Sequence, residues 1–575
     1  MNKQFAPDDH DVSVVLCGQA GQGIQTVERI LIRLLKLAGF NVFATKEYMS
    51  RVRGGSNSTE IRVSSQSVSA FVDRMDILIP FHKGALDHVR KRISPQTLIL
   101  GDEEIIPDDF QTSANRFIPV PFAKIASELG GKIFVNIAAA GVVTGMFQVD
   151  QSLIGNFIKE FFAEKSEEVV QKNIKAIQRG WEIGGEFLDS QKSGLESWKK
   201  KDISEQILLN GAEAVGLGAL AGGCSFLSSY PMSPSTGVMV FLSQQMEDFD
   251  LIVEQAEDEI SAINMALGAS YSGARAMVTT SGGGFALMTE GVSLAGMTET
   301  PVVIHIAQRP GPATGLPTRT EQADLELALY SGHGEFPRII FAPGRLEDAF
   351  FLTQKAFHLA DKYQIPVFIL TDQYFMDSYS NLPELDASAA KVEKFIVKTK
   401  KGYRRYELTE EGISPRGIPG FGQGFVGVDS DEHDLEAHIT ENLDLRKKMV
   451  EKRLKKLESI KKDIVPPELV GSHDYRILLI GWGSTYGVIS EALEKLGRED
   501  TAFLHFKQVY PLHEKTRNYL EKAERAIIIE NNATSQFARL IKLYTGADIE
   551  ARILKYNGLA FSVEEVMARF KEIIG

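Results

Sequence analysis

The sequence predicts an α/β protein of several domains, in which doubly wound sheets are built from repeated strand–loop–helix units. Its 575 residues are enough for more than one domain, and 43% of them are hydrophobic, as in ordinary globular proteins. Many of its 50 glycines stand between a short apolar run and a helical pattern. Open α/β sheets bind ligands at the edge where strands end and helices begin, so these loops are the first candidates for a site.

Composition argues against several classes of function. Lys and Arg number 63 and Asp and Glu 76, and the resulting net charge of −13 opposes non-specific binding to nucleic acid. The two cysteines, Cys17 and Cys224, argue against a disulfide framework and are too few to hold an iron–sulfur cluster. The start does not read as a signal peptide, and the most apolar run, 133–147, is too short to span a bilayer. We therefore expect a cytoplasmic protein that binds neither nucleic acid nor membrane.

The first domain, 1–190, begins with an apolar run, Val12–Leu16, and a glycine loop, Cys17–Gly23. A helical pattern from Ile24 follows, in the order expected of strand, loop and helix. Glycine loops at helix N-termini suit anions, but the spacing here is G-x-x-G-x-G and not the dinucleotide order G-x-G-x-x-G. A ligand loop and a tight turn beneath the helix therefore remain equally open.

A second glycine-containing segment of this domain carries two arginines. Arg51 and Arg53 precede Gly54 and Gly55, and guanidinium groups beside glycines suit a phosphate or a carboxylate. A solvated hairpin turn explains the same residues and is the favoured interpretation.

Changes in composition place the remaining domain boundaries. A charged segment rich in small residues predicts a linker, and a Gly- and Pro-rich stretch followed by a charged helical pattern predicts an irregular connector. An α/β domain is predicted on each side of that connector. The predicted ranges are linker 191–202, second domain 203–395, connector 396–470 and third domain 471–575.

Four polar motifs in the second domain each stand where a strand ends or a helix begins. We expect them to share one edge of a sheet and to form the functional site. The motifs are Ser229–Thr236 (SYPMSPST), Glu254–Glu259 (EQAEDE), Thr280–Phe285 (TSGGGF) and Gln308–Thr318 (QRPGPATGLPT).

In this order the motifs resemble those of the α subunits of the 2-oxoacid:ferredoxin oxidoreductases, which depend on thiamine diphosphate. Tyr230–Thr236 is similar to the signature Y-P-[IM]-[TS]-P-S-[ST] of that family, and the other three match further segments of it. The first domain resembles the γ subunit, fused ahead of α. The second resembles the pyrimidine-binding domain, and the third resembles the transketolase C-terminal-like domain. Members of the 2-oxoglutarate synthase type and of broad specificity are the most similar.

The resemblance implies a reaction. A 2-oxoacid, with 2-oxoglutarate favoured, is oxidatively decarboxylated with coenzyme A to acyl-CoA and CO₂, and ferredoxin is reduced. Pyruvate or a branched-chain 2-oxoacid is the alternative substrate. A non-catalytic scaffold subunit is the alternative role, and a nucleotide-dependent dehydrogenase is disfavoured by the glycine order.

The resemblance also implies a role for the second motif and three cofactor contacts. Thiamine is activated when a carboxylate hydrogen-bonds N1′ of its pyrimidine, and the family segment puts this catalytic role on Glu257, with Glu259 as the substitute. Acidic residues that complement a helix dipole are the alternative explanation. Tyr230, Pro231 and Phe285 are expected to contact the cofactor, although Phe285 serves equally well as a core aromatic.

Substrate contacts follow from the same resemblance. Arg309 offers a rigid donor fork for the 2-oxoacid carboxylate, and Ser233 and Thr314 offer hydroxyl donors. An ion pair that braces the loop is the alternative role for Arg309. Arg319 is the candidate for the distal carboxylate of 2-oxoglutarate.

One expected part of a thiamine site is missing from the sequence. The Gly-Asp-Gly…Asn segment that holds the diphosphate through Mg²⁺ is absent, and we assign no metal site to this chain. The resemblance places the diphosphate, Mg²⁺ and a [4Fe-4S] cluster on a separate β subunit. This chain is then expected to supply only the pyrimidine half of a shared site.

Overall fold

The computed structural model of the chain describes residues 10–19, 21–49, 55–107, 110, 116–191, 198, 202–387 and 392–575, with the backbone alone at 188–191. Arg51 and Arg53, the candidate anion-binding residues, lie outside the described residues, as does most of the predicted linker. No helix among the described residues has both the length and the apolar character needed to cross a membrane.

The chain divides into two compact units rather than three domains. The first comprises Met1–Leu209, Ser378–Glu384 and Ser562–Glu564, and the second comprises Asn210–Asp377, Leu385–Phe561 and Glu565–Gly575. Residues 203–209 and 378–384, predicted in the second domain, therefore belong to the first unit. The second unit contains the connector and most of the predicted second and third domains.

The first unit is built on an eight-stranded mixed sheet. Its strands are β1 (Asp11–Gln19), β2 (Asn41–Glu47), β3 (Ser56–Ser64), β4 (Ile77–Pro80), β5 (Leu98–Gly101), β6 (Arg116–Pro119), β7 (Ile207–Asn210) and β14 (Tyr379–Leu382). They lie in the order β6-β5-β4-β1-β3-β2-β14-β7. Strand β1 contains the predicted apolar run and is buried along nearly its whole length, parallel to β4 and antiparallel to β3.

Helices cover this sheet. They are α1 (Ile24–Leu37), α2 (Ala85–Val89), α3 (Phe122–Glu128), α4 (Phe134–Met146), α5 (Gln151–Phe161) and α6 (Glu167–Gln191). Helices α4 and α6 approach so closely that a Cβ added at Gly141 or Gly180 would overlap the backbone of the facing helix. Glycine therefore permits this contact.

The glycine loop ahead of α1 closes on itself. The Gln19 N–H donates to Oε1 of Gln22 at 2.7 Å, and the Gln22 N–H donates back to the Gln19 carbonyl at 3.1 Å. Gly23 enters the helix with φ of 76°, in the left-handed region. These contacts support the tight turn, one of the two interpretations of this loop.

The second unit contains a seven-stranded sheet that carries the four motifs. Its strands are β8 (Phe226–Ser229), β9 (Ile252–Gln255), β10 (Ala276–Thr280), β11 (Val302–Gln308), β12 (Ile339–Phe341), β13 (Pro366–Asp372) and β18 (Gln508–Tyr510), in the order β18-β12-β13-β11-β10-β8-β9. The associated helices are α7 (Gly211–Ala221), α8 (Thr236–Ser243), α9 (Glu259–Tyr271), α10 (Gly282–Phe285), α11 (Thr289–Met297), α12 (Leu325–Tyr330), α13 (Leu346–Tyr363) and α14 (Gln373–Asp377).

The C-terminal part adds a five-stranded sheet in the order β15-β17-β16-β19-β20. Its strands are β15 (Glu468–Gly471), β16 (Ile477–Trp482), β17 (Thr501–Phe506), β19 (Arg525–Glu530) and β20 (Ala551–Leu554). The remaining helices are α15 (Leu443–Ile460) in the connector, α16 (Thr485–Leu496), α17 (Thr516–Lys522), α18 (Gln536–Thr545) and α19 (Val563–Ile574). Residues of both sheets, among them Ile304 and Trp482, share one hydrophobic core, which explains why they form one unit.

The connector is anchored by a buried cluster of charges. Nζ of Lys452 and Nζ of Lys456, both on α15, each lie 2.6 Å from the carboxylate of Glu299, and all three side chains are nearly inaccessible to solvent. Although burial opposes it, the two ammonium groups hold the pKa of Glu299 well below its usual range. Burial lowers the pKa of Lys456 to about 7, because one carboxylate compensates two cations only in part.

Candidate active site

The four motifs lie at one edge of the seven-stranded sheet. Strands β9, β8, β10 and β11 are neighbours and run parallel. Each motif overlaps or directly follows the carboxyl end of one of them. Because parallel strands end at a common edge, the predicted clustering is observed.

The first and fourth motifs are in direct contact. Arg309 directly follows β11, and its Nη1 donates to the backbone carbonyl of Ser233 at 2.7 Å. Its Nε is buried and has no hydrogen-bond partner among the described residues. The guanidinium is thus held at one nitrogen and keeps buried donor capacity for another group.

The second motif separates three neighbouring acids into different environments. Asp258 caps helix α9, because its side chain accepts from the Ser261 N–H at 2.7 Å. Glu257 is exposed at the sheet edge, where its Oε1 accepts a 3.3 Å hydrogen bond from the Ser261 hydroxyl. Glu259 is buried, and its Oε1 has no partner in the part of the chain that the structure describes. Of these three acids, Glu257 is the exposed one.

The glycines of the third motif make room for two carboxylates. A Cβ added at Gly284 would lie 2.6 Å from Oε1 of Glu259, and one added at Gly282 would overlap the carboxylate of Asp324. The motif's glycine-rich spacing is therefore required for packing as well as for any approach of a ligand.

The fourth motif folds back on itself beyond Arg309. The Leu316 N–H donates to the Pro310 carbonyl at 3.1 Å. Gly315 has φ of 53°, and a Cβ there would overlap the same carbonyl. Thr314 is exposed at this turn. The turn thus keeps the Thr314 hydroxyl at the surface of the edge, where a ligand can reach it.

The charges of nearby carboxylates act on Arg309. Burial lowers its pKa, and the charges of Asp324 and Glu259 oppose that shift. Burial raises the pKa of Asp324 to about 6, against the opposing charge of Arg309. Burial also raises the pKa of Glu321 to about 7, with the charge of Asp324 adding to the effect. Two carboxyl groups near this site thus titrate close to neutral pH.

These acids were missed by motif reasoning. Glu321 and Asp324 follow the fourth motif and directly precede the apolar pattern of α12, and that position at a sheet edge was the available signal. Glu259 was considered only as a substitute for Glu257. Its burial against Gly284, a contact between separate motifs, could not be seen in the sequence.

The loop that carries Glu321 and Asp324 is hydrogen-bonded to the C-terminal sheet. Nε2 of Gln322 donates to the Trp482 carbonyl at 2.8 Å, and the Asn531 N–H donates to Oε1 of Gln322 at 3.0 Å. Arg319, on the same loop, is half-buried beside Gly558. The C-terminal sheet therefore fixes one side of the candidate site.

The predicted cofactor contacts differ in exposure. Tyr230 is 40% exposed and Pro231 is half-buried, so both can meet a ligand. Phe285 has no exposed surface, and its ring packs edge-to-face on Phe368 with centroids 5.6 Å apart. The expectation that Phe285 contacts the cofactor does not fit this burial, because a side chain without exposed surface cannot reach a ligand. The structure places Phe285 as a core aromatic.

Two family models match the chain. The model described as "Pyruvate flavodoxin/ferredoxin oxidoreductase, thiamine diP-bdg" matches residues 217–452. The model described as "Pyruvate ferredoxin/flavodoxin oxidoreductase" matches residues 13–183. The motifs and their sheet edge lie within the first match. Fold and site therefore define the thiamine diphosphate-binding subunit of an oxidoreductase that acts on 2-oxoacids.

Relatives along the whole length identify the family. The 2-oxoacid:ferredoxin oxidoreductase subunit alpha of Sulfolobus sp. is 32% identical, and the match covers 98% of this chain and 97% of that protein. The chain therefore belongs to the 2-oxoacid:ferredoxin oxidoreductase alpha subunits.

Two further relatives carry 2-oxoglutarate in their names. The 2-oxoglutarate oxidoreductase subunit KorA of Mycobacterium tuberculosis is 28% identical over 98% of this chain and 92% of that protein. A solved structure of 2-oxoglutarate:ferredoxin oxidoreductase from Magnetococcus marinus, with 2-oxoglutarate, coenzyme A and succinyl-CoA bound, has a TM-score of 0.90. It is 28% identical, and the match covers 99% of this chain and 100% of that one.

The residues at the sheet edge fit the pyrimidine half of thiamine diphosphate. The exposed carboxylate of Glu257 suits a ring nitrogen, and the buried Ser281 hydroxyl has no partner among the described residues. Among those same residues, no group of three or more His, Cys, Asp or Glu is arranged to hold a metal ion. The carboxylate of Glu257 and the hydroxyl of Ser281 are groups that suit a pyrimidine ring.

Proposed function

We propose that this chain supplies the pyrimidine and substrate-carboxylate side of an active site shared with a β subunit. The reaction is the coenzyme A-dependent oxidative decarboxylation of a 2-oxoacid, with 2-oxoglutarate favoured, coupled to the reduction of ferredoxin. The observation that carries the proposal is the placement of Glu257 and Arg309 on loops of one sheet edge. One offers an exposed carboxylate and the other a cation with unfilled donors.

Arg309 is assigned to the carboxylate next to the reacting carbonyl. Every 2-oxoacid carries that group, so one fixed cation serves all substrates. The Ser233 carbonyl fixes the guanidinium through Nη1, and the remaining N–H groups form a fork that matches a carboxylate. The hydroxyls of Ser233 and Thr314 are assigned as further donors to the substrate.

Glu257 is assigned to hold the proton at N1′ of the bound pyrimidine. When bound, thiamine diphosphate supplies the nucleophilic carbon that attacks the 2-carbonyl. A carboxylate hydrogen-bonded to N1′ would stabilise the tautomer in which the 4′-imino nitrogen can accept a proton, and this is general acid–base catalysis. Tyr230 and Pro231 are assigned to the rim of the cofactor site.

The β subunit is assigned the diphosphate, Mg²⁺ and [4Fe-4S] sites. This chain has only two cysteines, and an iron–sulfur cluster is normally held by four thiolates. The edge that carries Glu257 is open in this chain, as a shared site requires.

Arg319 is assigned to the distal carboxylate of 2-oxoglutarate. It lies on the same loop as Arg309, and its neighbourhood is fixed by the C-terminal sheet. The names of the Mycobacterium tuberculosis and Magnetococcus marinus relatives support this choice of substrate. Pyruvate and branched-chain 2-oxoacids are the alternatives.

The test is to express the chain alone and together with a candidate β subunit, a chain that carries cysteines and a Gly-Asp-Gly segment. We expect the chain alone to be colourless and unable to reduce a viologen dye with any 2-oxoacid, thiamine diphosphate and coenzyme A. The co-purified complex should be brown and should turn over 2-oxoglutarate faster than pyruvate, 2-oxobutyrate or branched-chain 2-oxoacids. Activity from the chain alone contradicts the shared site, whereas a complex that prefers pyruvate contradicts only the substrate.

A further inference from the structure

Asp324 lies outside the four motifs, but its backbone and its carboxylate both contact residues of those motifs. Its backbone N–H donates to Oε1 of Gln308, the last residue of β11, at 3.0 Å. Its carboxylate lies on Gly282, where any larger residue would overlap it. Its Oδ2 is buried and has no hydrogen-bond partner in the described ranges. A buried acceptor without a partner is costly, so its retention calls for a functional reason.

The charges around Arg309 do not balance. Asp324 and Glu259 are the carboxylates whose charges act on its guanidinium, and the charge of Asp324 in turn acts on Glu321. These acids come from the loop before α12 and from the start of α9, and with all of them ionised they outnumber the one cation. An anionic substrate that binds Arg309 would therefore meet a surplus of negative charge.

We propose that Asp324 acts on substrate binding through its charge on Arg309, and that its proton is linked to that binding. Without substrate, the ionised Asp324 stabilises the charge of the guanidinium. When a 2-oxoacid carboxylate binds Arg309, Asp324 takes up a proton from solvent and the surplus of negative charge is removed. This inference rests on the proposed role of Arg309 as the carboxylate site.

The direction of the pH effect follows from the charges. The pKa of Asp324 in the empty site is raised to about 6, and an anion bound nearby raises it further. Below about pH 6 the carboxyl is already protonated, so affinity is high and changes little. Above that pH, binding requires proton uptake, and affinity falls by up to about tenfold per pH unit until the pKa of the bound state is reached. Glu321, whose pKa is raised to about 7, broadens the window.

Calorimetry on the assembled complex with its β subunit counts this proton directly. Binding of oxamate and of N-oxalylglycine, unreactive amide analogues of 2-oxoacids, is measured at pH 7 in buffers of different ionisation enthalpy. We expect an uptake of up to about 0.9 proton per analogue, because a group with a pKa near 6 is about nine-tenths ionised at that pH. No proton uptake in the unmodified complex overturns the inference, whatever the behaviour of any variant.

The variant Asp324→Asn keeps the shape of the side chain and cannot take up the proton. We expect its affinity for both analogues to be nearly independent of pH between 6 and 8 and its proton uptake to fall at least threefold. The matched control is Glu326→Gln, two residues along, where the carboxylate pairs with Arg539 at 2.6 Å. The control should retain the uptake and the pH dependence of the unmodified complex.

The outcomes separate the two proposals. A purely structural Asp324 would weaken binding in Asp324→Asn at every pH and leave the proton count unchanged, and that result overturns the inference. Arg309→Met tests the assignment on which the inference rests. If Arg309→Met binds the analogues with unchanged affinity, Arg309 is not the carboxylate site. If Arg309→Met binds them more weakly but Asp324→Asn still takes up the proton, only the role of Asp324 is overturned.

Discussion

The guanidinium of Arg309 donates to the backbone carbonyl of Ser233 at 2.7 Å. Ser233 therefore contributes to the site through its main chain as well as through the hydroxyl assigned to the substrate. Because the contact uses a carbonyl, it survives most substitutions at position 233. The position of Arg309 consequently depends on the loop after β8 keeping its path, and substitutions at Arg309 itself are the more informative.

Arg309→Met should lower kcat/KM by about 10- to 150-fold for every 2-oxoacid, because a charged hydrogen bond contributes about 1.5–3 kcal/mol. Arg309→Lys should recover only part of this loss, since an ammonium group cannot make two parallel bonds to a carboxylate. Steady-state kinetics of the complex with 2-oxoglutarate and 2-oxobutyrate measures both effects. Normal kcat/KM in Arg309→Met would show that the guanidinium only braces its loop.

Arg319→Ala should weaken turnover of 2-oxoglutarate much more than turnover of 2-oxobutyrate, because only 2-oxoglutarate has a distal carboxylate. The measurement is the ratio of kcat/KM for the two substrates, with Arg309→Met as the comparison in which both fall alike. Equal losses on both substrates would assign Arg319 to the structure of its loop, beside Gly558.

Glu257→Gln should lower kcat by about 10²-fold or more, corresponding to about 2.7 kcal/mol of transition-state stabilisation, while the complex still assembles. Its side chain is exposed in this chain, so folding should be unaffected. Size-exclusion chromatography checks assembly and single-turnover kinetics checks the chemistry. If Glu257→Gln turns over normally and Glu259→Gln assembles but is inactive, the hydrogen bond to N1′ is assigned to Glu259 instead.

Glu299→Gln should lower the free energy of unfolding by about 3–5 kcal/mol, because it leaves two buried ammonium groups without their carboxylate. Lys456→Met should change it by only about 1 kcal/mol, since it removes the cation that is compensated least and leaves one buried pair. Denaturant unfolding of the purified chain compares the two variants. A Lys456→Met variant as unstable as Glu299→Gln would show that both ammonium groups are needed.

The sequence predicted the features that depend on neighbours along the chain. The apolar runs, the helix from Ile24 and the clustering of four motifs at one edge follow from local periodicity and from the geometry of parallel strands. The charged helix of the connector was also predicted. Its burial was not, because Lys452 and Lys456 are covered through Glu299, which is more than 150 residues away.

Contacts between distant segments account for the other differences. The contact between Asp324 and Gly282 joins two residues that no periodic sequence pattern connects. Strand β14 lies beside β2 in the first sheet although Tyr379 and Ala44 are far apart in the chain. Such pairings depend on the complementarity of whole surfaces, and that information is not present in any short window of sequence.

Strand β18 limits how this chain can be recombined with its relatives. It belongs to the C-terminal part of the sequence, yet Tyr510 and Gln508 pair antiparallel with Ile340 and Phe341 of β12 at the edge of the motif-bearing sheet. In a chimaera with a crossover between 342 and 507, β18 from one parent would have to pair with β12 from the other parent. Mismatch there would leave backbone donors and acceptors open to association with other chains. Substrate preference is therefore better transferred by exchanging the segments that contain β12 and β18 together with the loops of the candidate site than by exchanging those loops alone.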